Sequence, residues 1–221
     1  GSFTFGLAVS AMVTVAGHPV LGLILAFVAG LGAGIVTGLI QTKLRVHPVL
    51  SGILTMSGLY SINLLVMNKS SNVSLIANDT VFKLVQNMGL TQDAAKLIVS
   101  ALAAVIVLVI IILFFKTQTG LCIRATGDNE DMVSASSINV DATKILALAI
   151  SNALIALSGG LLSQYQGFAD INMGRGAIVI GLAAVIIGEA IFGKIFRNFG
   201  LRLLSVAFGS IIYYLVLQIV I

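Results

Sequence analysis

Apolar residues along the chain gather in seven long blocks, at about residues 3–16, 20–40, 48–67, 97–115, 144–163, 176–192 and 202–221, separated by polar connections. A helix that crosses a bilayer needs about 20 predominantly apolar residues. The short alternating runs of a membrane barrel are absent. The pattern predicts an all-α fold, a polytopic membrane helix bundle with about seven membrane segments. The first block is too short to span comfortably and the sixth is marginal, so each is a candidate half-helix or re-entrant segment buried in protein.

Composition strengthens this reading. The chain is 58% hydrophobic and 9% charged, against roughly a quarter charged in an ordinary soluble domain. The net charge of +4 does not point to nucleic acid, because the basic residues sit at the ends of apolar blocks and no aromatic-basic surface accompanies them. Lys43 and Arg45 follow the second block, Lys116 and Arg124 the fourth, and Lys194, Arg197 and Arg202 the sixth. Alternation puts these three loops on one side, which the positive-inside rule makes cytoplasmic. The single cysteine, Cys122, excludes an intramolecular disulfide. His18 and His47 each precede a proline and read as boundary residues. The absence of an initiator Met and the apolar end at Ile221 lead us to expect a piece of a longer protein.

On the opposite side lies a long polar connection, residues 68–96. Val81, Leu84, Val85 and Met88 within it have helical spacing and predict a surface helix. Three N-x-S/T triplets begin at Asn68, Asn72 and Asn78. They suit glycosylation of a surface protein, and Asn- and Ser-rich loops also generate such triplets by chance; it is the family resemblance described below that favours chance.

Several local patterns invite a chemical reading. Gly22, Ala26, Gly30, Gly34 and Gly38 place a small residue at every fourth position of the second block, a ladder for close helix packing in lipid. The stretch Leu157-Ser158-Gly159-Gly160 matches the signature of ATP-binding cassette ATPases, yet the phosphate loop GxxxxGK[ST] is absent and the stretch lies in an apolar block. Asn152, Ala156, Gly159 and Ser163 fall on one helical face, so the glycine pair reads as a packing face. Asp128, Glu130 and Asp131 suit either a divalent cation or a helix start. The helix start is preferred, with Asp128 as N-cap and Asp131 at N3, and no metal site is assigned. Asp141 is expected to cap the next membrane helix. Met56, Tyr60, Asn63 and Met67 share a helical face that supports two readings, a solute path or an interhelical contact. Glu189 sits near the cytoplasmic end of the sixth block within reach of Lys194, and Asp170 and Arg175 flank an external turn.

The loop Arg124-Ala125-Thr126-Gly127-Asp128-Asn129-Glu130-Asp131-Met132, with LSGGLLSQYQGFADINMGRG, GLAAVIIGEAIFG, RVHPVLSGILTMSGLYSINLLVM and the opening GSFTFG, resembles the permease subunits of ABC importers, of the branched-chain amino acid and ribose type. The resemblance covers most of the chain and implies one transmembrane permease domain over 1–221. It implies that the R-A-x-G-x-N loop, within a cytoplasmic coupling loop at 116–143, starts a short helix that docks on a separate ATPase subunit. ATP and magnesium would bind on that partner, and this chain would carry no cofactor and no catalytic residue. Arg124, Ala125, Gly127, Asp128, Asn129, Glu130, Asp131 and Ser136 are the coupling candidates, and Met56, Tyr60, Asn63, Met67 and Asn152 the path candidates. Where family members often have glycine before the isoleucine of this region, the chain has Ser137.

The expected partners are the ATPase, an extracytoplasmic solute-binding protein, a second permease copy and the lipid bilayer, and the expected place is a bacterial inner membrane. The expected solute is an amino acid, aromatic or branched-chain, with sugars and nucleosides left open. The alternatives are a proton- or sodium-coupled secondary transporter using Glu189 and Asp170, and a glycosylated membrane protein that transports nothing.

Overall fold

The computed structural model describes residues 1–86, 91–193 and 199–220. All seven apolar blocks form helices: α1 Ser2–Val15, α2 Pro19–Thr42, α3 Pro48–Val66, α5 Gln92–Phe115, α8 Val140–Gln166, α9 Gly174–Phe192 and α10 Phe199–Val220. Between them lie β1 Asn72–Ser74, α4 Val81–Gln86, α6 Gln118–Asp128, α7 Glu130–Ala135 and β2 Phe168–Asp170. Among the described residues, six helices are long and apolar enough to cross a membrane. The exception is α1, whose 14 residues rise only about 21 Å. The sixth block, α9, is a full 19-residue helix.

Two helices start a full turn or more before their apolar blocks. The first turn of α5, Gln92 to Lys96, and that of α8, Val140 to Thr143, are polar but helical. Hydropathy marks where hydrocarbon ends, whereas a helix ends where its backbone donors find another acceptor. His18 and His47 stand at the N-cap positions of α2 and α3, with proline at the first helical residue of each, where the missing N–H costs nothing.

The bundle is built around α8. Ser2 of α1 meets Asn152 and Thr14 meets Gln164, so α1 runs parallel to α8. Its N-terminus lies near the midpoint of α8, so α1 is the half-helix. Along α2, Gly30 meets Asn152 and Ala153, Gly34 meets Leu148 and Ala149, and Gly38 meets Ile145, so α2 runs antiparallel to α8. Gly22 sits against the Ser10 carbonyl, and Ala26 against Gly160. Gly159 faces the Phe3 carbonyl and Gly6 the Ala156 carbonyl. The LSGG glycines are thus the seam of a three-helix contact.

Beyond the C-terminus of α8, β2 pairs antiparallel with β1, with Val73 opposite Ala169. The ribbon closes over a buried cluster of Leu7, Ala8, Ala11, Met67, Leu75 and Ala169. A second unit joins α9 to α10, where Gly188 abuts the Ser205 carbonyl and Gly209 the Ala184 carbonyl.

At the opposite end of α8 sit α6 and α7, and here the expected caps are corrected. Asp128 is the last residue of α6, and the N-cap of α7 is Asn129, whose Oδ1 accepts from the Met132 N–H at 3.1 Å. Asp131 is therefore the second residue of α7. Asn139, not Asp141, caps α8, accepting from the Ala142 N–H at 3.0 Å. A side-chain amide oxygen serves a cap as well as a carboxylate does, and the nearby acids occupy first turns, where they complement the helix dipole.

Ser137, in the α7–α8 linker, has φ of 60°. That left-handed conformation costs an L-residue more than glycine. Ser137→Gly is expected to raise stability by about 0.5–1 kcal/mol, read as a higher unfolding midpoint in detergent.

Candidate translocation site

A cavity of about 980 Å³ lies between the α1–α2–α3–α8 unit and the α9–α10 pair. Its volume is at the upper end of the range for small-molecule sites. Most of its wall is aliphatic, from residues such as Ile53, Leu59, Leu148 and Ile178. A few polar groups interrupt it. The Ser2 hydroxyl donates to Asn152 Oδ1 at 2.5 Å, and Asn152 Nδ2 donates to the Leu148 carbonyl at 2.8 Å. Thr37 Oγ1 lies 3.0 Å from Thr55 Oγ1, whose own proton goes to the Ser51 carbonyl. Gln41, Ser158 and Tyr214 complete the polar lining.

Of the five path candidates, Met56 and Asn152 line this cavity. Tyr60 is exposed outside its lining, and Asn63 and Met67 are buried at 1% exposure. One helical stripe therefore crosses three environments as α3 rises: the cavity, an exposed stretch, and the seat beneath the ribbon. Asn63 Oδ1 is buried without a hydrogen-bond partner among the described residues. The sequence reading missed Ser2, Thr37 and Thr55, whose hydroxyls look like ordinary helix bonding until two helices face each other.

Neither Asp170 nor Glu189 lines the cavity. Asp170 Oδ1 accepts from the Asn172 N–H at 2.7 Å, holding the turn before α9. Glu189 is exposed near the far end of α9. Its expected partner Lys194, like Arg197 and Met88, lies outside the described residues.

The coupling candidates Arg124, Ala125, Gly127, Asp128, Asn129, Glu130, Asp131 and Ser136 are all exposed, at the end of the bundle that also carries Lys43, Arg45 and Lys116. Asn129 is the pivot between the two short helices. Its N–H donates to the Ala125 carbonyl, closing α6, while its side chain opens α7. A Cβ at Gly127 would meet nothing within 4 Å, so packing within this chain does not demand that glycine.

The other end is organised by a residue the sequence reading passed over. Gln164 is 2% exposed. Its Oε1 accepts from the Val81 N–H at 3.0 Å, and its Nε2 lies within 3.2 Å of Ser10 Oγ, Thr14 Oγ1 and the Pro19 carbonyl. It ties α4 to α1, α2 and α8. The buried anchor of α4 is Phe82, edge-on to Tyr165 with ring centroids 5.6 Å apart, while Leu84 is exposed. The expected apolar face of that helix is thus rotated by Phe82. Asn78, one of the triplet asparagines, donates its Nδ2 to the Val15 carbonyl at 3.3 Å.

The described residues thus form a polytopic helical bundle in which the short helix α1 begins at an open cavity, with two short exposed helices at one end. The chain belongs to the family described as "Branched-chain amino acid transport system / permease component", which it matches over residues 1–221. It is 41% identical over 157 residues to the "Tyrosine transport system permease protein" of Clostridioides difficile (strain R20291), covering 70% of this chain and 50% of that protein. It is 33% identical over 155 residues to "Uncharacterized protein RP368" of Rickettsia prowazekii (strain Madrid E), covering 70% and 52%. The chain spans about half the length of these curated relatives. No solved structure matches it. It is a multi-pass membrane protein and a transport component, a class that resides in the inner membrane of bacteria.

Proposed function

We propose that the chain is the solute-conducting subunit of an ATP-driven importer and carries an amino acid, aromatic or branched-chain, through the cavity between α8 and α9. The observation that supports this best is the placement of that cavity. One helix, α8, lines it with Leu148, Asn152, Ile155 and Leu162 and starts beside the exposed α6–α7 pair. A separate ATPase, binding ATP and magnesium, docks on α7, an extracytoplasmic binding protein delivers solute at the ribbon end, and two permease copies make the working unit. The tyrosine system of the C. difficile relative favours aromatic solutes. A mostly apolar wall with a few polar groups suits such a side chain. A rigid helix that moves as a unit transmits ATPase closure by tilting the membrane helix behind it.

The test is purification of the complete native complex in mild detergent, reconstitution, and ATP-dependent uptake of labelled tyrosine and leucine. Gly127→Pro removes a backbone donor in the last turn of α6, at a cost of roughly 3 kcal/mol to local helix. Arg124→Glu reverses a charge on the docking face. Each is expected to leave insertion intact and to uncouple ATP hydrolysis from uptake. Wild-type uptake by both variants would remove the coupling assignment, and uptake driven by a proton or sodium gradient without ATP would replace the importer with a secondary transporter.

A further inference from the structure

The Lys144 ammonium lies 2.7 Å from Glu130 Oε2. Glu130 is the first residue of α7, and Lys144 stands in the second turn of α8. The side chains are 27% and 55% exposed for lysine and glutamate respectively, and exposed ion pairs of this kind add little stability. What distinguishes this pair is its place, between the first residue of α7 and the foot of α8. Lys144 lies past the first turn of α8, where the dipole acts weakly, while Glu130 at the start of α7 is favoured by the positive end of its own helix.

The position of Lys144 on α8 gives the pair a mechanical direction. Lys144, Leu148, Asn152 and Ile155 fall at i, i+4, i+8 and i+11, one stripe of the helix, and the last three line the cavity. Along the axis Lys144 is about 12 Å from Asn152. The backbone between α7 and α8 is a short linker that turns through the left-handed Ser137. Besides this linker, the buried Val133 of α7 and the Glu130–Lys144 pair fix how α7 sits at the foot of α8.

We propose that the Glu130–Lys144 ion pair is the positioning contact that makes α7 and the foot of α8 move together, so that displacement of α7 reaches the cavity at Asn152. This rests on the permease reading above, and adds to it a residue, Lys144, outside the docking face itself. It is a strut, not a ligand to solute or to ATP.

The experiment uses the complete reconstituted transporter and compares Glu130→Lys, Lys144→Glu and the double exchange, with Lys144→Arg as the conservative variant. Uptake per ATP hydrolysed, the KM for solute and the monodisperse yield are measured for each. Each single reversal is expected to lower uptake per ATP by roughly fivefold or more with KM unchanged, and the double exchange to recover most of it, the non-additivity that a direct contact produces. Lys144→Arg is expected to behave as wild type. Singles that keep the wild-type ratio, or a double exchange no better than the singles, would overturn the strut. A silent Lys144→Glu beside a Glu130→Lys that loses the ATPase from the complex would also overturn it, assigning Glu130 to the docking face alone. Wild-type complex without ATP-driven uptake would instead remove the permease reading beneath it.

Discussion

Gly34→Leu is expected to abolish recovery of folded protein, whereas Gly32→Leu, two residues along the same helix, is expected to be tolerated. At Gly34 a Cβ would run into the Leu148 carbonyl and lie 2.5 Å from the Ala149 Cα, both backbone of α8. At Gly32 a Cβ meets nothing within 4 Å. Overpacking a core that can shift costs about 1–3 kcal/mol. Here the obstacle is main chain, and relief requires α2 to separate from α8. Because Gly30 meets Ala153 and Gly38 meets Ile145 along the same line, separation at one rung loosens the others. Lipid supplies no hydrophobic force to draw the helices back together, since close packing is itself the attraction. The measurement is monodisperse yield in detergent for the two leucine variants expressed in parallel. Equal recovery of Gly34→Leu would contradict the α2–α8 contact and with it the order of the bundle.

That contact was among the most legible features of the chain. Gly22, Ala26, Gly30, Gly34 and Gly38 repeat with a period that only a buried helix face explains, and the structure sets them against α8 and α1. The seven apolar blocks were legible for the same reason, because a bilayer demands a length that few other environments do. What the ladder faced was not legible. Asn152, Ala156, Gly159 and Ser163 presented a small weakly polar face, but its pairing with both Gly6 of α1 and Gly30 of α2 depends on three-dimensional order. Caps were misplaced by one or two residues, because Asp128 and Asn129 are equally suited to the position and the choice follows where α6 ends. The cavity was half legible. Met56 and Asn152 reach it, but Asn63 and Met67, on the same stripe, pass out of it as α3 climbs beneath the ribbon. Gln164 was invisible, since a glutamine at the end of an apolar run reads as a boundary residue.

Gln164→Leu is expected to release α4 from the bundle and lower stability by about 1–3 kcal/mol, the cost of one buried polar group left without a partner. The Val81 N–H loses its acceptor, whereas the Pro19 carbonyl, at the first residue of α2, loses the amide donor it shared with the Ser10 and Thr14 hydroxyls but keeps its bond within the helix. The hydroxyls keep other bonds, Thr14 to the Ser10 carbonyl at 2.7 Å and Ser10 to the Gly160 carbonyl at 3.3 Å, so the cost falls chiefly on the Val81 N–H. Val81 is only partly buried, and water reaching it would reduce the loss on that side. Gln164→Glu separates the two halves of the junction. A carboxylate keeps the acceptor for Val81 but turns an oxygen toward the Pro19 carbonyl and buries a charge, which is costly without a cation to match it. The glutamate variant should therefore hold α4 in place while losing overall stability, and the leucine variant should lose both. Hydrogen exchange of the α4 amides, beside the unfolding midpoint in detergent, distinguishes these outcomes. Unchanged protection of Val81 to Gln86 in Gln164→Leu would mean that the Phe82–Tyr165 contact, not Gln164, anchors α4.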